Sequence, residues 1–531
     1  MAMKSSITYF FLLIVMSVLS FAKANAQPTI NWQKAFGGNY GASLGEIKPT
    51  SDGGYILLAS TSSTNGDVSV PLKGGSDIWI AKLTASGSIS WQKNYGGSAN
   101  EWANSISQTS DGGYVFMAST VSTDGDITTN KGGRDVWIVK LNDTGKIQWQ
   151  KTYGGTADDG SFGTIGTMAY QTSDGGYVML SPSKSSDGDV PSNKGMTDYW
   201  VARLNSSGSI IWSKTYGGGD EDIPSYLKPI NSGGYIVAGK TKSNNGDVSG
   251  NKGLEDGWVL SIDDTGKLKW QKSYGGTKND VLYMICSTST NELIAAGTTY
   301  SNDGGIQNYH DSSDVWVIKI DSLGGEIWSK AYGGSRQDGA NAIIQDLFGN
   351  LTVAGNSNSS DGDINTNVGL YDVWMFSINT NGDLRWKKSY GGSKVETVSR
   401  IYSTSDGGYV TSGITNSTDG DALNSNFHGG SGFDVWVIKF SSPLRVGYLN
   451  DAGIKVYPTL LSVSENINVS IKSASTRDIS FQLTDMSGRV IDLTRNHSLD
   501  KVVLSSNTGS GVYILKIILD REVFYYKIQY R

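Results

Sequence analysis

Apolar and polar positions alternate along most of the chain in short blocks, each about the length of a β-strand. One stretch shows four of them, at Ala103 to Gln108, Tyr114 to Thr120, Asp135 to Leu141 and Lys146 to Tyr153. Short runs of this kind, bounded by Gly, Asp, Asn and Ser, predict strands rather than helices. Two tight turns join the blocks in pairs, Ser110-Asp111-Gly112-Gly113 and Asn142-Asp143-Thr144-Gly145. Asp and Asn bond back to the backbone of a turn and Gly supplies its positive φ, as a hairpin requires.

The same four-strand pattern returns down the chain, marked by two tryptophan series. A W-[QSK]-K step holds Trp32, Trp91, Trp149, Trp212, Trp270, Trp328 and Trp386, and a D-x-W step holds Trp79, Trp137, Trp200, Trp258, Trp316, Trp374 and Trp436. The commonest spacing in both is 58 residues. Four antiparallel strands repeated seven times predict an all-β chain folded as a seven-bladed β-propeller over residues 27–440. The first copy opens with a fourth strand at Ile30-Asn31-Trp32-Gln33, and the last stops after its third, at Asp434 to Phe440. The N-terminal strand is therefore expected to complete the last blade, closing the ring and removing its exposed edges. The repeated Trp, Tyr and Ile residues are assigned to packing between blades.

The segments Asn142-Asp143-Thr144-Gly145-Lys146-Ile147-Gln148-Trp149 and Asp263-Asp264-Thr265-Gly266-Lys267-Leu268-Lys269-Trp270 resemble the D-x-T-G-x-x-x-W tryptophan-docking motif of quinoprotein-like propellers. The resemblance implies a way of building blades. It does not carry quinone binding, because those dehydrogenases typically use eight blades and two adjacent cysteines, against seven repeats and the single Cys286 here.

The two ends read differently. Lys4, an apolar run from Ile7 through Phe21 and Ala24-Asn25-Ala26 have the order of a secretory signal peptide over residues 1–26. That apolar run is shorter than the roughly 20 residues of a spanning helix, so no transmembrane segment is expected in the mature chain. After Phe440 a link over 441–452 leads to a different β-rich segment, expected to be a small β-sandwich-like domain. Residues 453–531 resemble the type A C-terminal sorting domain of the type IX secretion system. The matching pieces are Ile454-Lys455-Val456-Tyr457-Pro458, Leu483-Thr484-Asp485-Met486-Ser487-Gly488-Arg489-Val490, Ser510-Gly511-Val512-Tyr513-Ile514-Leu515-Lys516 and Tyr526-Lys527-Ile528. One departure is Pro458-Thr459-Leu460, where the family usually has Pro-Asn-Pro. The resemblance implies a Bacteroidota organism, partnership with the type IX machinery through 453–531, and a secreted or outer-membrane-surface location after periplasmic transit.

Charge and rare residues narrow the chemistry. The net charge is −6, and removing the leader takes away Lys4 and Lys23 and no acid, which argues against nucleic acid as a partner. Cys286 is read as a small buried apolar residue. With only His310, His428 and His497, neither a histidine metal site nor a Ser-His-Asp triad has material. Two acid series follow the repeat. One is Glu101, Asp159, Asp222, Asp280, Asp338 and Glu396, each four residues past the second Gly of Y-G-G. The other is a [ND]-G-D turn, as in Asp124-Gly125-Asp126 and Asp361-Gly362-Asp363. Strand direction places both on one broad, loop-rich face, with the tight hairpins opposite. The first series is read either as turn caps that accept backbone N–H groups or as ligands of calcium, and no other cofactor is expected.

Irregularities are where specialisation would show. Unit three carries extra residues within Ala157 to Met168, the last unit carries more near Phe427 to Phe433, and Trp102 stands outside both tryptophan series. Trp102 beside Glu101 is the candidate ligand-binding residue. Together these features predict a secreted or surface-displayed binding propeller for an extracellular glycan, polymer or protein. An extracellular polysaccharide hydrolase or lyase and a structural adhesion or surface-layer component are the alternatives.

Overall fold

The computed structural model describes residues 27–441, apart from Leu44, 164–165, 231–232, 289–290, 347–348, Asn424 and 430–431, together with much of 454–530. The signal-peptide reading of 1–26 and the linker from 442 onward lie outside the described residues.

Among the described residues the chain is all-β, with one short 3-10 turn at Gly420–Ala422 and no α-helix. Up to Phe440 it forms repeated four-stranded antiparallel sheets in a propeller-like arrangement. Sheets 1 to 6 lie within residues 46–95, 101–153, 168–216, 222–274, 280–332 and 338–390. Sheet 7 orders Glu396–Ser403, Tyr409–Thr415 and Asp434–Phe440, then adds Ile30–Phe36 from the other end of the chain. That strand pairs antiparallel with Asp434–Phe440, matching Gln33 to Ile438 and Ala35 to Trp436.

Burial explains the sequence of each strand. In sheet 2, Tyr114–Thr120 and Asp135–Leu141 are buried throughout, whereas Ile147–Tyr153 is mostly half-buried and only its last two residues are buried. Middle strands are covered on both faces by neighbouring sheets and are therefore buried along their whole length and mostly apolar. The fourth strand is an outer edge. The core lies between sheets: Ile56, Leu58 and Ile80 of sheet 1 pack with Ala103, Phe116 and Trp137 of sheet 2.

Two contacts join each sheet to the next. The outer-strand Trp91 and Trp149 rings lie against Gly145 and Gly208 in the third-to-fourth-strand hairpin of the following sheet, so closely that a Cβ there would meet the ring within 3.0 Å. The tyrosine of Y-G-G then donates its hydroxyl to the carbonyl of that glycine, at 2.5 Å for Tyr95 on Gly145 and 2.6 Å for Tyr274 on Gly324. At the closing junction the N-terminal segment takes the hairpin's place. Tyr390 donates to the Pro28 carbonyl at 2.8 Å, and the Trp436 indole donates to Gln33 Oε1 at 2.9 Å.

Beyond 453 the strands form two further sheets. One orders Ile454–Tyr457, Ile467–Ile471, Lys501–Ser505 and Thr494–Ser498; the other orders Leu460–Leu461, Glu522–Tyr530, Gly511–Leu519, Ile479–Asp485 and Val490–Ile491. Alternate residues Tyr513, Leu515 and Ile517 are buried, as in a sheet with one covered face. Among the described residues no helix is long and apolar enough to cross a membrane.

Candidate functional site

The acid series stands where each turn enters a first strand: Glu101, Asp222, Asp280, Asp338 and Glu396 are the first residues of their strands, and Asp159 precedes its own. Glu101 is buried and accepts from the Gly97 N–H at 3.0 Å, the Thr120 hydroxyl at 2.8 Å and the Ser122 hydroxyl at 2.6 Å. Asp280 repeats the set with Gly276 at 2.8 Å, Thr299 at 2.5 Å and Ser301 at 2.8 Å. Asp159, Asp222, Asp338 and Glu396 accept from Gly155, Gly218, Gly334 and Gly392 in the same way. Each acid therefore has its donors within its own turn and the adjoining strand, and no donor is shared between two members of the series. Burial pushes the carboxyls of Glu101, Asp159, Asp222 and Asp338 up, while the hydroxyl and amide donors pull the other way. Among the described residues, no three His, Cys, Asp or Glu side chains gather as a metal ion would need.

A second buried carboxylate, the aspartate of D-x-W, flanks the same turn. In Asp77, Asp135, Asp198, Asp256, Asp314, Asp372 and Asp434 one oxygen accepts from a backbone N–H four or six residues earlier, such as Lys131 to Asp135 at 2.6 Å. The other oxygen has no hydrogen-bond partner and lies against the first glycine of Y-G-G. Gly96 thus stands between Glu101 and Asp77, where a Cβ would meet either carboxylate closer than 3.0 Å. Burial, with a smaller contribution from the paired acid, raises Asp135 and Asp256 to about 7, and Asp198 and Asp372 to about 6.

The [ND]-G-D aspartates knit neighbouring sheets on this face. Lys73, Lys131 and Lys194 pair with Asp126, Asp189 and Asp247 of the next sheet. At the closing junction His428 takes the lysine's place, 2.8 Å from Asp434 and 3.4 Å from Asp67. The acids on this face are thus partly offset by cations. Cys286 is buried, and burial pushes its thiol up to about 12, in keeping with a packing role.

The irregular residues meet at one point of the loop-rich face. Trp102, the second residue of the first strand of sheet 2, stands edge-on to Phe162 from the unit-three insertion, with centroids 5.0 Å apart and planes at 89°. The Arg134 guanidinium lies 3.7 Å from the Phe162 centroid and 6.0 Å from that of Trp102. A bulge between Ala103 and Ser105 frees Asn104 from the ladder. The buried Asn104 amide donates to Ser161 and to the Gly163 carbonyl and accepts from Ser119 at 3.0 Å, pinning the loop that carries Phe162. Phe162 is nevertheless 69% exposed. Phe433 from the last unit's irregular stretch and Ile414 of sheet 7 face the pair across a cavity of about 260 Å³, with Ser43 and Ser60 of sheet 1 between them. The Ala42 N–H donates to the Phe433 carbonyl at 2.7 Å, so this corner is built across the closing junction.

Sequence reasoning singled out Trp102 and both insertions, but not Phe162, Phe433, Arg134 or Asn104 as partners. It also missed a polar cluster on the first strands. There Tyr402 donates to Glu46, Lys48 lies 3.4 Å from Glu46 and 3.0 Å from the Ser107 hydroxyl, and Tyr170 donates to Tyr226 at 3.0 Å.

No family model matches the chain. A curated relative, the regulatory protein FlaEY of Caulobacter vibrioides, is 26% identical over 211 residues, covering 36% of this chain. The chain spans only 22% of that relative's length. Among solved structures the chain is similar to a fungal alcohol oxidase of the AA5 family in complex with copper, at 11% identity and a TM-score of 0.44 over 95% of this chain and 99% of that one. It is also similar to an α-L-arabinofuranosidase from Fusarium graminearum, at 10% identity and a TM-score of 0.38 over 78% and 98%. The sialidase NanB of Streptococcus pneumoniae gives 12% and 0.36 over 78% and 70%.

Proposed function

We propose that this chain is an exported binding propeller. In this reading the seven sheets are blades of a ring closed by Ile30–Phe36, and the loop-rich face is the recognition surface. One observation carries the binding role: three departures from the repeat, at Trp102, Phe162 and Phe433, line a single cavity. Packing needs the same residue in every unit, whereas recognition needs a place where the units differ. The six acids act as turn caps in this scheme. The leader and the resemblance of 453–531 to a type IX sorting domain support delivery to the cell surface or the medium.

Two experiments test the proposal. Arrays of extracellular glycans and of surface proteins from the same organism, probed with the full mature chain and with Phe162→Ser, should show a ligand that the variant loses; binding indifferent to Phe162 would remove the loop-rich face as the site. In cells, deleting 453–531 should leave the protein in the periplasm, and normal release of the truncated chain would refute the sorting role.

A further inference from the structure

We infer that the cavity between Trp102, Phe162, Ile414 and Phe433 takes one uncharged apolar or aromatic side chain from a protein partner, and not a sugar ring. The inference rests on the loop-rich face being the recognition surface and specifies what that face recognises.

Size comes first. The cavity holds about 260 Å³, below the roughly 300 Å³ at which pockets for drug-sized ligands begin. That volume suits a single side chain. Walls come second. Two rings at 89° make a corner, Ile414 and Phe433 supply the other sides, and none of the described lining residues is charged. An aromatic guest would meet Trp102 and Phe162 edge-to-face or offset, the arrangements that ring quadrupoles favour.

Polar groups decide between guests. A sugar ring brings several hydroxyls, and each one buried without a partner costs about 1–3 kcal/mol. The only side-chain hydroxyls lining the cavity among the described residues are those of Ser43 and Ser60. Ser60 Oγ already accepts from the Ala103 N–H at 2.7 Å, and Ser43 Oγ is directed to the Ser60 carbonyl at 3.5 Å. The asparagine beside the corner, Asn104, is engaged at both ends, its amide N–H groups by Ser161 and Gly163 and its Oδ1 by the Ser119 hydroxyl. An apolar side chain has no such demand.

The surroundings point the same way. Met196, Leu254 and Leu370 occupy one repeat position, two residues before the D-x-W aspartate, and each is at least 65% exposed. Their backbones are tied to the neighbouring turn, as in Leu370 N–H to the Lys394 carbonyl at 2.7 Å. They lie on the same face as Phe162, one each on the second-to-third-strand loops of sheets 3, 4 and 6. A single apolar or aromatic anchor seated in a small pocket is how protein interfaces concentrate their affinity.

The test uses the full mature chain and small probes of the anchor. Saturation-transfer NMR should detect N-acetyl-tryptophanamide and N-acetyl-leucinamide but not methyl β-glucoside or N-acetylglucosamine. Phe162→Ser and Phe433→Ser, checked for an unchanged melting temperature, should each weaken amide binding at least tenfold. Selection of random peptides on the chain should return Trp, Phe or Leu at one position and lose them on Phe162→Ser. Sugar binding that Phe162→Ser abolishes, with no amide binding, would overturn the inference while leaving the recognition face intact. Probes that bind neither the parent nor the variants, with selected peptides indifferent to Phe162, would overturn both. Association of the chain with itself, abolished by Phe162→Ser, would replace the foreign partner with a second copy and so overturn the partner named here.

Discussion

Removing residues 28–36 tests ring closure most directly, because the N-terminal strand is joined to sheet 7 only through space. The loss can be summed from its contacts. The Trp436 indole and the Tyr390 hydroxyl, both on fully buried side chains, lose acceptors at 2.9 Å and 2.8 Å. An orphaned buried donor costs about 1–3 kcal/mol, so the two together cost about 2–6. Phe36 is only 2% exposed, and its burial is worth roughly 1.5–3 kcal/mol. The Asp434–Phe440 strand also loses its partner along the whole ladder. A total of about 4–9 kcal/mol is comparable with the 5–15 kcal/mol that holds a typical domain together.

Equilibrium urea unfolding of the full mature chain, read by tryptophan fluorescence, measures this loss. The truncated chain should unfold at a much lower midpoint, with proteolysis beginning in residues 396–440. Gln33→Ala should give a smaller part of the same effect by leaving Trp436 without its acceptor. A midpoint that moves no more than it does on deleting an equal length from 442–452 would refute closure by this strand.

Three further outcomes follow from the acid turns. Asp135 and Asp256 are raised to about 7, and Asp198, Asp314 and Asp372 to about 6, so the folded state holds protons that the unfolded chain releases near pH 4; the stability this confers is lost as pH rises through 6–7, and the melting temperature should be a few degrees higher at pH 5.5 than at pH 8, less so in Asp135→Asn. Gly96→Ala should cost about 1–3 kcal/mol in chemical denaturation by driving a methyl between Glu101 and Asp77, and adding Asp77→Gly should recover part of it. On the turn-cap reading, calcium should leave the melting curve unmoved while Asp280→Ala lowers stability by at least about 2 kcal/mol through the orphaned Gly276 N–H and its neighbours; a calcium-dependent rise that Asp280→Ala abolishes would favour the cation reading instead.

The repeated positions were legible because repetition itself carries the signal. Strand limits inferred from one unit agree with the structure at Tyr114–Thr120 and Asp135–Leu141, and the first strand starts two residues earlier than expected, at Glu101, because the capping acid pairs with Thr120 across the ladder. The end-of-chain register foretold the partner of Ile30–Phe36. The aromatic corner was not legible in this way. Phe162 and Phe433 stand 271 positions apart in stretches where the repeat loses register, and their meeting depends on how sheet 7 abuts sheet 1. A usable signal did exist in the residue before each D-x-W aspartate, which reads Ser76, Arg134, Thr197, Glu255, Ser313, Tyr371 and Phe433. A position that varies freely beside one that never varies is where the units can differ, and two of its seven occupants, Arg134 and Phe433, belong to the corner.

In the proposed reading, closure and recognition are coupled by this placement. The cavity takes walls from sheet 7 and from sheets 1 to 3, so it exists only while the closing junction holds. A ligand that binds the closed form alone must stabilise it by mass action, by about 2.7 kcal/mol at a hundred times its dissociation constant. Gln33→Ala weakens the junction without touching any wall of the cavity. Where that weakening leaves a measurable population open, the same ligand should bind the variant more weakly in proportion to the closed fraction and should protect residues 396–440 from proteolysis. The six acid turns stand at the other junctions, with Ala42 in the acid's place where sheet 7 meets sheet 1. An apolar anchor seated between sheet 7 and its neighbours selects the closing junction, because the asymmetry of the site and the asymmetry of the closure are built from the same residues.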